Sequence, residues 1–173
     1  MNNMIQFQWL KRLWMPFCLL AAMLLASVLQ SDAQEQPPRP ITVAVNTAQH
    51  LSFGSFIQNG NNGTVTVTYD GFRTATGSII LPNMSSIVTP ALFIVDAEPG
   101  TLITIMNGST ATLTGSNGGT LSLSLGESST RSPFITAGQL TDVFIGGTLT
   151  IGSLGANPAG FYNGQFQVTF IQQ

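Results

Sequence analysis

The chain has 173 residues, with five Lys and Arg against seven Asp and Glu, a formal net charge of −2, and charged residues at 7%. Soluble domains carry roughly 25%. Beyond the first 33 residues the cations are Arg39, Arg73 and Arg131, and lysine is absent. Such a chain has too few cations to displace counterions from phosphates, which excludes nucleic acid as a partner and disfavours anionic membrane surfaces. The length supports one core and one domain.

Residues 1–33 have the three parts of a secretory signal. A basic segment ends in Lys11-Arg12, an apolar stretch runs from Leu13 to Leu29, and Ser31-Asp32-Ala33 places small residues at −3 and −1 of a cleavage between Ala33 and Gln34. An uncleaved membrane anchor needs about 20 apolar residues, and this stretch is shorter and interrupted by Pro16. The expected product is exported to the periplasm, the cell surface or the medium, with no membrane span. The only cysteine, Cys18, leaves with the signal, so disulfides and cysteine-based metal sites are excluded. Residues 34–40, Gln-Glu-Gln-Pro-Pro-Arg-Pro, read as an extended tether, because proline forbids a helix.

From Ile41 the apolar period is two. Ile41–Val45, Val65–Tyr69, Leu121–Leu125, Leu149–Ile151 and Phe166–Phe170 alternate apolar residues with small or polar ones, mostly Thr and Ser. That is the pattern of strands buried on one face, with hydroxyls on the other. Asn59-Gly60-Asn61-Asn62-Gly63, Asp70-Gly71, Asn107-Gly108, Asn117-Gly118-Gly119 and Asn163-Gly164 punctuate the strands as turns. The reading is an all-β domain over residues 41–173, an antiparallel immunoglobulin-like β-sandwich of about eight to ten strands. A β-solenoid needs a fixed internal period, and the Thr-x-Thr units at Thr64, Thr74, Thr110 and Thr148 are unequally spaced. An outer-membrane barrel needs longer strands with aromatic girdles.

The mature chain offers little chemistry. His50 is the only histidine and has no neighbouring donor, whereas a metal site needs several. Asp96 and Glu98 flank Ala97 as a glycosidase-type pair would, but Pro99-Gly100 marks a solvated turn there. Asp70 and Asp142 read likewise as turn and surface acids. No calcium loop, phosphate loop or dinucleotide fingerprint occurs, and Gly152-Ser153-Leu154-Gly155 departs from the nucleophile elbow. The expectation is a protein that is not an enzyme and takes no cofactor and no metal. Asn-x-Ser/Thr triplets at Asn62, Asn83 and Asn107 arise by chance in such a composition.

Asp142 is the last charged side chain. The closing strand carries no Lys, Pro or other charge of the kind that usually protects a sheet edge. Either it lies inside a sheet, or its edge pairs with another chain.

Leu51-Ser-Phe53-Gly54, Phe93-Ile-Val95, Thr101–Ile105, Val143-Phe-Ile-Gly146-Gly147-Thr148-Leu149-Thr150-Ile151 and Gly160-Phe-Tyr162-Asn-Gly164-Gln-Phe166-Gln-Val168-Thr-Phe170 resemble the bacterial domain-of-unknown-function 4402 family. The resemblance runs from about Ile41 to Phe170. The family is similar in pattern to spore coat U-like proteins and chaperone-usher pilins, secreted subunits of surface structures. In pilins a terminal strand with a glycine fourteenth from the end and alternating apolar residues is bound by a periplasmic chaperone. Gly160 holds that place here, followed by Tyr162, Gly164, Phe166, Val168 and Phe170, although Gln172 stands where pilins have tyrosine. Ile41, Val43 and Val45 resemble a donor strand, or complete their own sandwich. The resemblance implies a structural or adhesive surface protein, a pilus- or fimbria-like subunit whose partners are itself, related subunits and a chaperone. The alternative is a monomeric module for surface glycans, which would use exposed rings such as Tyr69, Phe72, Phe161 and Tyr162.

Overall fold

Alternation of apolar and hydroxyl side chains becomes, in the computed structural model, eleven strands among the described residues. They are β1 (Thr42–Val45), β2 (Ile57–Val67), β3 (Arg73–Ile80), β4 (Ala91–Asp96), β5 (Leu102–Asn107), β6 (Ala111–Gly115), β7 (Thr120–Ser128), β8 (Phe134–Ile135), β9 (Leu140–Ile151), β10 (Tyr162–Asn163) and β11 (Val168–Gln172). The structure describes residues 37–46, 48–83 and 86–173, and all eleven strands belong to the unit Pro38–Gln173. The expected signal segment, with its expected cleavage between Ala33 and Gln34, lies outside the described residues, as does most of the expected tether. Every strand pairing is antiparallel, and none of the described residues is helical. The fold is an antiparallel β-sandwich.

One layer is an eight-stranded sheet along the path β1-β4-β9-β7-β6-β10, with β2 also on β9 and β3 on β2. The other is a three-stranded sheet in the order β11-β5-β8. The spine of the large sheet is β9. Along one flank it pairs with β4 as far as Ile145 and with β2 from Gly147 onward, while β7 follows the other flank. The handover falls on Gly146, where a Cβ would lie 2.1 Å from the Val67 carbonyl oxygen and 2.7 Å from the Thr68 carbonyl carbon. Only a residue without a side chain lets β2 cross so closely.

The core forms two connected clusters. Phe53, Val65, Val67, Ile79, Leu113, Leu121, Leu123, Leu149 and Ile151 make one. Ala91, Phe93, Val95, Ala97, Ile103, Phe134, Val143 and Ile145 make the other, with the small sheet lying over it. Leu51, Leu125 and Phe166 pack against both. The odd-numbered β9 residues face inward throughout, as a period of two requires. The even-numbered ones present Thr148 and Thr150 outward. Register then lines up Thr76, Thr64, Thr150, Ser122 and Thr112 in one row across five strands, and Thr74, Thr66, Thr148 and Ser124 in the next. Within these rows Thr64 and Thr76 hydroxyls lie 2.7 Å apart, and those of Thr66 and Thr148 2.9 Å apart.

Several expectations are corrected. The strands exceed the expected eight to ten because β8 and β10 are two residues each, too short to leave a period in the sequence. Asn59–Gly63 is no interstrand turn. It lies within β2, where the register against β3 shifts between Gln58 and Gly63 and Asn62 takes a φ of 49°. The Asn residues therefore supply a bulge. Asn163-Gly164 is not a hairpin turn either: Asn163 pairs with Thr114 in β10, and the backbone of Gly164 lies against Leu113 and the carbonyl of Thr112. Asp70-Gly71 and Asn117-Gly118-Gly119 do turn the chain, with φ of 82° at Gly71, 88° at Gly118 and 76° at Gly119.

Candidate functional site

The terminal run expected to form one strand is divided between the two sheets. Tyr162 pairs with Gly115 of β6 in the large sheet, and its hydroxyl donates to the Pro158 carbonyl at 2.7 Å. Gly160 lies close to the Ser116 hydroxyl and Gly164 to Leu113, both on the flank of β6. The chain then crosses to the small sheet, and β11 begins at Val168 rather than Phe166. Two glycines lie close against the β6 flank before this crossing, which an alternating pattern alone does not reveal. Phe166, Val168 and Phe170 all turn inward onto the second cluster. The Phe93 ring lies 6.5 Å from Phe166, edge-on, and 5.5 Å from Phe170.

Of the two places open to the closing strand, the structure gives the edge. Among the described residues β11 pairs only with β5, from Val168 opposite Asn107 to Gln172 opposite Ile103. Its exposed residues are Thr169 and Ile171, so no charge guards it.

The candidate donor strand sits in its own sandwich. β1 pairs with β4, Val43 opposite Val95 and Val45 opposite Phe93, at the end of the large sheet. Ile41 packs against the core just ahead of it, and its N–H donates to Gln172 Oε1 at 3.2 Å. The Gln172 amide in turn donates to the Arg39 carbonyl at 3.2 Å. The start of β1 and the end of β11 are thus tied together. All four β1 residues are nevertheless exposed.

The acids are used structurally. Asp96 and Glu98 are not a bare solvated turn: Arg39 approaches Asp96 at 2.5 Å and Glu98 at 3.7 Å, fastening the tether to the sandwich. The pairing is exposed and contributes roughly 0–1 kcal/mol. It was not legible because Arg39 and Asp96 are 57 positions apart. His50 is exposed, and its carbonyl accepts from the Thr89 hydroxyl. Asp142 is exposed on β9 opposite Ile94. Among the described residues no three His, Cys, Asp or Glu side chains group as metal ligands.

Asp70 caps the β2–β3 turn. The Thr68 hydroxyl, and after it the Phe72 N–H, hold its carboxyl below the usual aspartate value. A lowered folded pKa stabilises the turn at neutral pH, and that contribution is lost as pH falls through the folded value. The group is fully exposed, so the effect is small. An NMR titration is expected to place the Asp70 midpoint below that of an unstructured aspartate, and Thr68→Val to raise it.

The four candidate rings do not share a site. Tyr69 and Phe72 flank the β2–β3 turn on one side of β9, whereas Phe161 and Tyr162 adjoin β6 on the other. Tyr162 is half-buried in the first cluster, leaving Phe161 exposed at 82% without a stacked neighbour among the described aromatic pairs.

A groove that the sequence did not announce, of about 770 Å³, is lined by residues including Ile105, Leu125, Glu127, Ser128, Arg131 and Ser132. Its hydroxyls are committed to main chain. Ser128 donates to the Arg131 carbonyl at 3.0 Å, and Ser132 accepts from Ile105 N–H at 2.8 Å while donating to its carbonyl at 3.0 Å. They brace the turn in which Arg131 takes a φ of 61°.

The model of a domain of unknown function, DUF4402, matches residues 43–171, from within β1 to within β11. The chain belongs to the DUF4402 family. No curated protein and no solved structure matches it. The matched residues therefore take in most of β1 and of β11, and the expected signal segment and tether precede them.

Proposed function

We propose that this DUF4402 protein is an exported, non-catalytic structural or adhesive subunit of a bacterial surface, pilus- or fimbria-like, joined to related subunits by strand complementation. The observation that carries the reading is β11, a terminal strand at a sheet edge with no charge and no proline. Main-chain hydrogen bonding along such an edge provides affinity, and alternate side chains provide register. The ion pair of Arg39 with Asp96, and the hydroxyls already bound to backbone, fit a body built for contact better than one built for reaction.

The test is made in the source cell. Antibody is expected to label intact cells, and gently extracted envelope protein to migrate on size exclusion as complexes larger than one chain. A soluble periplasmic monomer, unlabelled on intact cells, would sink the proposal.

A further inference from the structure

We infer that the outer edge of β11, together with the valines of β1, forms an acceptor for one extended segment of another polypeptide. In this arrangement β1 is a fixed wall of the acceptor, not the strand that is handed over. The inference rests on the strand-complementation reading above and names its site.

Register decides which groups are offered. Gln167 accepts from Gly108 N–H at 2.8 Å and Gln173 donates to the Leu102 carbonyl at 3.0 Å, so the odd-numbered residues direct their main chain to β5. In an antiparallel ladder the alternate residues point theirs the other way. Val168 and Phe170 therefore present N–H and C=O outward, and among the described residues neither has a partner on that side.

The floor of the site is β1. Residues directly opposite in an antiparallel pair share a face, so Val43 and Val45 point to the same side as the buried Val95 and Phe93. Even so, Val43 is 38% exposed and Val45 62%. Gln172 ties β11 to the start of β1, and Phe170 reaches Phe93, whose register partner is Val45. The small sheet thus ends one strand short of the large sheet beneath it.

That overhang selects the occupant. Two copies cannot join β11 to β11, because neighbouring strands lie about 4.8 Å apart and both β1 strands would claim the space beneath. A lone strand fits. It must present apolar side chains at alternate positions, to cover Val43 and Val45, and carry no charge there, because the floor offers no counter-charge. It must also be free of proline where its N–H meets β11. The chain's own Pro37-Pro38-Arg39-Pro40 fails that requirement. Three ties hold β1 in place: the ladder to β4, the Gln172 bridge and the Arg39 ion pair.

The experiment is amide hydrogen exchange on the exported chain from Gln34 onward, with a synthetic peptide of the sequence Ile41–Ala48 as probe and its Val43→Asp, Val45→Asp version as control. In the free protein, Val168 and Phe170 amides are expected to exchange fast, and Thr169 and Ile171 slowly. Millimolar probe should slow Val168 and Phe170 by about tenfold or more, leaving Ala44 as slow as before, whereas the control peptide should do nothing. Val45→Lys, at an exposed position, should keep the melting temperature but lose the slowing; Ile80→Lys, on the distant β3, should keep both. Val168 and Phe170 amides that stay fast, slow equally in Val45→Lys, or slow only as Ala44 is released, would overturn the inference. Envelope complexes without this protection would defeat the acceptor alone. Protection without envelope complexes would defeat the surface-subunit reading alone.

Discussion

Gly146→Ala is expected to destabilise the domain by about 3 kcal/mol, lowering the melting temperature by on the order of 10 °C. The added Cβ would lie 2.1 Å from the Val67 carbonyl oxygen and 2.9 Å from Thr68 Cα. These are backbone atoms, so no side chain can rotate away. The clash can be relieved only by separating β2 from β9, and the Val67–Gly147 pairing is the end of that ladder. Gly138→Ala is the control: it has nothing within 4 Å and should stay within about 0.5 kcal/mol of the parent. Urea unfolding of both variants checks the prediction, and a Gly146→Ala protein as stable as Gly138→Ala would show that β2 does not cross β9 as described.

Phe93→Ala should cost about 3–5 kcal/mol, the range for truncating a buried aromatic. Phe93 is 6% exposed, sits opposite Val45 of β1 and Val143 of β9, and meets the rings of Phe166 and Phe170 from the other layer. Its ring is the aromatic contact that packs the terminal strand onto the large sheet, beside the Gln172 tie to Ile41. The loss should therefore be uneven, with the Thr169 and Ile171 amides exposed to exchange before that of Val143. Phe72→Ala, at a ring exposed at 66%, serves as the comparison and should be nearly silent. Uniform loss of protection across both layers would contradict the role given to Phe93.

Much of this architecture was legible because a period of two is a local signal. Phe166, Val168 and Phe170 turn inward as their alternation with Gln and Thr requires, and Asp70-Gly71 and Asn117-Gly118-Gly119 bend the chain where they stand. What stayed hidden is set by distant neighbours. Asn59–Gly63 has the composition of a turn, yet pairing with β3 on both sides of it draws it into β2 as a bulge. Nothing within Val168–Gln172 says whether one neighbour or two will flank it. The Thr-x-Thr units are unequally spaced along the chain, and only sheet register brings them into rows. The contact of Gln172 with Ile41 joins the two ends of the domain, and that of Arg39 with Asp96 pins the first end to β4, ties invisible to any short window.

The place of β9 carries a further consequence. A single strand supplies Val143 and Ile145 to one apolar cluster and Leu149 and Ile151 to the other, and it alone links β4, β2 and β7. Neither half of the sandwich can come apart while the other keeps its spine intact, so heat should melt the domain in one calorimetric step despite its two clusters.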